Sequence, residues 1–336
     1  MKRIHDVFKH GLSKENAMIQ WVREENYNSV MDGQVLPYLK PRLQTGYFER
    51  VKGEKIYYEH YHTDEPKGVV VISHGFTESI RKYYESIYYM LQAGYSVWGE
   101  DHRGHGNSFR HTVNPYVVHI QKFEDFVLDL KYMVEKCVKP ASGELPLYLY
   151  CHSMGGCIGA WLIESDPQLF RKAVLSSPML GLKFGKIPTP IVYAGAQIKC
   201  IRGSRAEPLQ PINAFPEADF ENSCDSSECR YYYFNKMRRE DRGLQVTSPS
   251  IGWGMEAVKA CNRVTSRWQT GRIQIPVLLF QAGKDTVVDN SAQNLFESRV
   301  KTCRLKRIPN VKHELYMSDS EVLIPYWTTI FDFFEE

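Results

Sequence analysis

Five short runs, residues 69–72, 96–98, 147–150, 173–175 and 277–280, are apolar at successive positions, and each is followed by a turn and a helical pattern. A strand apolar on both faces must be covered on both, so these runs call for a mostly parallel central sheet between two layers of helices, the α/β class. Ahead of them, residues 46–51 and 55–61 alternate aromatic and polar around Lys52-Gly53-Glu54 and read as a hairpin. Residues 123–137 carry helical apolar spacing. The alternation stops after Ser176-Ser177-Pro178 and resumes at Ile275-Pro276. A structureless loop of about 90 residues would be abnormal, so the gap reads as a helical insertion with an aromatic helix around Tyr231-Tyr232-Tyr233-Phe234. An insertion between two strands of one sheet is expected over the sheet's C-terminal edge, where open α/β sheets bind ligands. The expected division is a lead-in at 1–45, a core at 46–182 and 273–336, and a helical cap at 183–272.

At 336 residues the chain has room for about two domains, or for one large domain with such an insertion. The net charge of +3 supplies no field for nucleic acid. No run approaches the roughly 20 apolar residues of a membrane span, and the basic first ten residues lack a signal peptide's apolar core. Eight cysteines without a short framework or C-x-x-C motif read as reduced thiols, which points to a cytoplasmic protein. A pairing of Cys224 with Cys229 is the alternative for those two. Aromatic residues at 13%, with 21 tyrosines, need burial or a ligand, and a large apolar pocket is one outlet.

The chemistry concentrates where strands end. Cys151-His152-Ser153-Met154-Gly155 follows a buried strand and opens a helix. A serine on so tight a turn projects its hydroxyl outward and needs small residues two before and two after, where strand and helix pass close. Gly155 meets that demand, and Cys151 stands where glycine is usual. A serine nucleophile needs a base, and the base an orienting carboxylate. Asp285 lies just past the 277–280 strand and His313 just past a strand candidate at 303–308. The order Ser153…Asp285…His313 is the order of α/β-hydrolases and not of other serine-triad folds. Asp289, farther from the strand end, is the rival acid. The oxyanion donors expected are the backbone N–H of Met154, after the nucleophile, and of Phe76, after the His74-Gly75 turn. Asp101-His102-Arg103-Gly104-His105-Gly106, with His111 nearby, raises metal binding. Neither C-x-x-C nor H-E-x-x-H accompanies it, so it reads as a bracing loop with no metal.

His74-Gly75-Phe76-Thr77-Glu78-Ser79, Asp101 to Gly106, His152-Ser153-Met154-Gly155-Gly156, Ser177-Pro178-Met179, Val287-Val288-Asp289-Asn290 and His313-Glu314 together resemble the α/β-hydrolase superfamily. The similarity is to its monoacylglycerol lipase and lysophospholipase L2-like branch, from about residue 65 to the C-terminus, weakest in the cap. The resemblance implies the α/β-hydrolase fold and a cofactor-free serine hydrolase that cleaves esters of single-acyl lipids, a lysophospholipid or a monoacylglycerol, through an acyl-enzyme. The partner expected is a small amphiphilic ester. Trp253 and Tyr231 in the cap would contact it, with Arg230 beside a phosphate head group. Arg230, Lys236, Arg238 and Arg239 also suit peripheral contact with the inner membrane face. Their alternative is a solvated helix face balanced by Glu240 and Asp241. The alternatives in function are a small-molecule carboxylesterase, a prolyl-aminopeptidase-like hydrolase, which would need an acidic cap site for a substrate amine that the sequence does not show, and, behind these, a non-catalytic binding protein of hydrolase fold.

Overall fold

The computed structural model of the protein describes residues 19–183, 185, 189–212 and 214–336. The basic start of the lead-in therefore lies outside the described residues. From Tyr27 to Arg42 the lead-in is a run of short helical segments.

Eight strands form the main sheet: β1 (Leu43–Glu49), β2 (Lys55–Tyr61), β3 (Gly68–Ser73), β4 (Tyr95–Glu100), β6 (Leu147–His152), β7 (Lys172–Ser176), β9 (Val277–Ala282) and β10 (Cys303–Ile308). A separate parallel pair joins β5 (Val117–Val118) to β8 (Ser248–Pro249). The order across the main sheet is β1-β2-β4-β3-β6-β7-β9-β10. β2 runs antiparallel to both β1 and β4, and the remaining neighbours are parallel. Every residue of β3, β4, β6, β7 and β9 is buried, which is why those runs show no polar alternation.

The side-chain period of two sorts each strand between two cores. Val69, Val71, Leu149, Leu175 and Leu279 join a cluster with Phe126, Leu130, Ile158 and Leu162 from the helices Glu124–Met133 and Met154–Ser165. Val70, Ile72, Tyr150, Val174 and Leu278 face the other way, against Ile87, Leu91, Trp327 and Phe331 of the helices Tyr84–Gln92 and Ser320–Glu335.

Between β7 and β9 the chain forms helices at Thr189–Ile201, Glu228–Glu240, Ile251–Val264 and Arg267–Thr270. The aromatic helix expected around residues 231–234 is Glu228–Glu240, and its Tyr233 and Phe234 join the second core. Ile251–Val264 feeds Ala257, Cys261 and Val264 into the first. Trp253, on that helix, packs its ring 4.5 Å from Phe76, just beyond the C-terminal end of β3. Among the described residues no helix is long and apolar enough to cross a membrane.

Candidate active site

β6 ends at His152 and the helix Met154–Ser165 begins two residues later, so Ser153 must reverse the chain alone. It does so at φ 51° and ψ −115°, a left-handed conformation costing of order 1–3 kcal/mol that the surroundings must over-determine. Four backbone bonds hold it. Its N–H donates to Ser176 O at 3.1 Å, and its carbonyl accepts from Gly156 N at 2.8 Å, Cys157 N at 3.3 Å and Met179 N at 2.8 Å. At Gly155 an added Cβ would stand 2.0 Å from the carbonyl oxygen of Ser73, so only glycine fits there. Cys151 is tolerated for a matching reason. Its Sγ occupies space that a Cβ on Gly159, one turn into the helix, would invade at 2.3 Å.

His313 reaches this turn from the loop after β10. Its Nε2 lies 2.8 Å from Ser153 Oγ and its Nδ1 2.6 Å from Asp285 Oδ2. Asp285 Oδ1 accepts from the N–H groups of Val287 at 2.8 Å and Val288 at 3.0 Å. Burial works to raise the Asp285 carboxyl, but the His313 hydrogen bond and charge, with the Val288 and Val287 N–H groups, hold it below its ordinary value. An ionised Asp285 only accepts, so Nδ1 carries the imidazole proton and Nε2 is free to accept from the serine hydroxyl. Asp289 is elsewhere: it caps the helix Asn290–Arg299 by accepting from Ser291 N at 2.9 Å.

Among the described residues neither the Phe76 nor the Met154 N–H has a hydrogen-bond partner. Met154 opens its helix, where such groups are orphaned, and the helix dipole adds positive potential. The Phe76 turn is braced from behind. His74 Nε2 accepts from His102 N at 2.9 Å, which fixes the proton on Nδ1, and Nδ1 donates to Gly75 O at 2.8 Å. Burial pushes the His74 imidazole pKa down, in keeping with this neutral tautomer. Asp101 accepts from Ile80 N at 3.0 Å and Asn107 N at 2.9 Å, and a Cβ at Gly106 would fall 1.9 Å from its carboxylate. His102 and His105 are pushed well below their ordinary pKa by burial and by neighbouring histidines, so both are neutral in the loop.

Glu78 stands in the resemblance motif without a role of its own in the sequence. The structure gives its carboxylate one: it accepts from Gly75 N at 2.6 Å, Tyr83 OH at 2.6 Å and Tyr316 OH at 2.7 Å. A carboxylate three residues beyond a turn glycine, reaching back to its N–H, has the spacing of a capping box, and that spacing was the available signal. Beside it Lys82 is buried against Glu314, with Glu78 at 3.5 Å and Asp225 at 4.0 Å. Glu78, His152 and Glu314 offer metal-ligating atoms within 4.8 Å of one another, and Lys82 already sets an ammonium against both carboxylates.

The expected cap contacts divide. Trp253 lies against Phe76. The Tyr231 hydroxyl accepts from Asp219 N at 2.6 Å, and its side chain lines a cavity with Thr77 and Glu314. Arg230 is not brought to the site. It is fully buried, bound to Glu85 at 2.8 Å and Glu24 at 2.6 Å, because a guanidinium at that depth needs carboxylate partners. Cys224 and Cys229 are free thiols.

Comparison with known proteins gives a consistent picture. Residues 64–321 match the hydrolase sequence family described as serine aminopeptidase, S33. The chain is 26% identical to a probable lysophospholipase L2 of Haemophilus influenzae over 90% of its length and 95% of the relative's. It is 30% identical to lysophospholipase L2 of Escherichia coli K12 over 68% of its length and 66% of the relative's. Among solved structures, the monoacylglycerol lipase of Paleococcus ferrophilus superposes with a TM-score of 0.62 at 22% identity, covering 83% of this chain and 97% of that one.

Proposed function

The chain belongs to the serine aminopeptidase, S33, family of hydrolases and has the α/β-hydrolase fold, and from that premise we propose that it is a serine hydrolase cleaving carboxylic esters of single-acyl lipids, lysophospholipid or monoacylglycerol. The observation that carries the reading is the continuous chain Ser153 Oγ to His313 Nε2 and His313 Nδ1 to Asp285, beside two unpartnered N–H groups. His313 removes the Ser153 proton as the oxygen attacks the ester carbonyl, and Asp285 stabilises the resulting imidazolium. The N–H groups of Phe76 and Met154 receive the oxyanion, each worth about 2.7–4 kcal/mol. The alcohol departs with the proton from His313, and water releases the fatty acid by the same steps.

The acyl chain is assigned to the apolar side, where Phe76 and Trp253 meet beneath the helical segment between β7 and β9, which acts as the cap. The names of the lysophospholipase relatives agree with such a substrate. An aminopeptidase would need an ionised carboxylate free for the substrate's amine. The buried acids beside the site are already engaged: Glu314 and Asp225 face Lys82, and Glu78 accepts from Gly75 N and two tyrosine hydroxyls. Fatty acid release from lysophosphatidylcholine, lysophosphatidylethanolamine and monoacylglycerol, beside p-nitrophenyl esters from C2 to C16 and an aminoacyl-arylamide, tests the reading. Activity should rise with chain length and appear on at least one lipid. A flat or falling profile with no lipid hydrolysis would reduce the protein to a small-ester hydrolase, and arylamide turnover alone would make it a peptidase.

A further inference from the structure

A cavity of about 310 Å³ lies between the Phe76 turn and the helix Glu228–Glu240, with Thr77, Asp225, Tyr231, Asn235, Arg238 and Glu314 in its wall. Two of these adjoin the reacting groups in the chain: Thr77 follows Phe76 and Glu314 follows His313. His313 must hand its proton to the departing alcohol, so the leaving group belongs on the His313 side of Ser153. A cavity walled by the residue after His313 is placed to hold what that alcohol carries.

Basic side chains nearby differ sharply in what they already bind. Arg230 is paired with Glu85 and Glu24, Arg239 with Glu217 at 2.6 Å, and Lys82 with Glu314. Lys236 lines a neighbouring, more open depression with Arg239 and not this cavity. Arg238 is different. Its Nε donates to Leu244 O at 3.1 Å and its Nη2 to Val246 O at 2.6 Å, while its guanidinium lies 4.7 Å from the Phe215 ring centroid and 5.9 Å from that of Phe234. Backbone carbonyls and rings fix its orientation, yet among the described residues no carboxylate pairs with it, and its Nη1 N–H groups have no acceptor. Burial lowers its pKa to about 10 against the opposing pull of Glu314, Asp225 and Glu78, so it remains charged at neutral pH. Those three acids offset this half-buried charge only from beyond ion-pair distance, so an anionic ligand in direct contact would bind it more closely. In the same wall Asn235, 7% exposed, leaves its side-chain carbonyl without a partner, an acceptor ready for a ligand hydroxyl. Four acids share the wall: Glu314 is bonded to Lys82, Glu217 to Arg239, burial with Glu314 alongside pushes the Asp225 carboxyl well up, and Asp219, held low by Asn222, keeps its charge at the exposed rim.

We propose that this cavity receives the phosphodiester of a lysophospholipid head group, and that Arg238 is the specificity residue that binds the phosphate. The assignment rests on the ester-hydrolase reading above, and it selects lysophospholipid over monoacylglycerol. A guanidinium held by its Nε and one Nη, with the other Nη free, presents a charge-assisted donor to a phosphate oxygen.

Two measurements test it. The first follows p-nitrophenyl butyrate hydrolysis with glycerophosphocholine, glycerol or inorganic phosphate as inhibitor. Glycerophosphocholine should compete at least tenfold better than glycerol or phosphate, and Arg238→Gln should weaken it roughly 10–100-fold, the worth of one charge-assisted bond. The second compares lysophosphatidylcholine with a monoacylglycerol of the same acyl chain. The ratio of their kcat/KM values should fall by a similar factor in Arg238→Gln and recover in part in Arg238→Lys, which keeps the charge and also serves should the glutamine variant fail to fold. An unchanged ratio, equal inhibition of wild type and variant, or equal loss on both lipids with a lowered Tm would overturn the assignment. Equal inhibition by inorganic phosphate would overturn the head-group source. Arg238-dependent inhibition in an enzyme that hydrolyses no lipid would instead strike the lipid-ester reading and leave the anion site standing.

Discussion

Ser153 concentrates strain, hydrogen bonding and the proposed nucleophile in one residue, and those can be separated by substitution. Its left-handed backbone is set by Gly155, Gly156 and four backbone bonds, none of which uses the hydroxyl. Ser153→Ala should therefore fold with little change in Tm while kcat falls by roughly 10⁶, as when one member of such a unit is removed. A fluorophosphonate that labels wild type and variant equally would sink the assignment of the nucleophile. For the acid, geometry favours Asp285, which faces His313 at 2.6 Å, over Asp289, which caps a helix. Asp285→Asn should cost about 10⁴ in kcat, because a neutral amide can stabilise the wrong imidazole tautomer. Asp289→Asn should cost far less in kcat, since asparagine is also a good cap. The reverse ranking in steady-state kinetics would transfer the role to Asp289.

At the scale of elements, the departure at Cys151 is explained by its partner element. The strand-end thiol and the helix Met154–Ser165 can approach because Gly159 has no side chain, with 2.3 Å left between Sγ and a would-be Cβ. Gly159→Ala alone should destabilise by about 1–3 kcal/mol through overpacking, despite alanine's better helix propensity. Combined with Cys151→Ala, most of that loss should return, because the clashing sulfur is gone. Urea melts of the two single variants and the double variant measure the coupling, and strict additivity would show that the two positions do not compete for space. This compensation explains what could be read in advance. The five buried strands were legible because burial on both faces leaves an unbroken apolar run, and Ser153, Asp285 and His313 because each stands just past a strand. Gly159 was not, since a glycine eight residues from Cys151 gains meaning only once the helix folds back over the strand. Arg230 misled for a related reason. A basic residue on an aromatic helix resembles a surface residue until Glu85 and Glu24, distant in sequence, are seen to bury it. Glu78 shows in the sequence only through its spacing from Gly75, because its other partners are Tyr83 and Tyr316, the latter 238 residues away.

Across the whole molecule, buried titratable groups pull stability in opposite directions with pH. Burial lowers the pKa of His60 to about 4, and that of His74, His102, His105 and His152 below the ordinary value. In this range the unfolded chain binds more protons at these sites, so they make stability rise with pH until about 6.5, where unfolded histidine is deprotonated. Burial acts on carboxyls in the opposite sense, raising Glu59 to about 7 and Glu164 to about 8. Between their ordinary value of 4.5 and these raised values the folded state holds more protons than the unfolded, so ν_U − ν_N is negative and stability falls as pH rises. The two trends imply a maximum near pH 6–7, with the alkaline decline belonging to the carboxyls. Glu59 isolates one of them. It is 1% exposed on β2, accepts from Tyr57 OH at 3.0 Å and Tyr61 OH at 2.5 Å, and is raised first by burial and then by Asp101, with those two hydrogen bonds and Arg81 opposing. Glu59→Gln keeps an acceptor for a tyrosine and cannot ionise. Its cost relative to wild type should therefore be largest near pH 5, where the wild-type carboxyl is protonated in the folded state. The cost should shrink by up to about 3 kcal/mol by pH 8, where the wild type must bury a carboxylate or protonate it. Thermal melts of both proteins at pH 5, 6.5 and 8 read this directly as the variant gaining several degrees on wild type across the series. Parallel Tm curves would mean that Glu59 titrates in the folded protein as it does in water, and that the alkaline decline has another source.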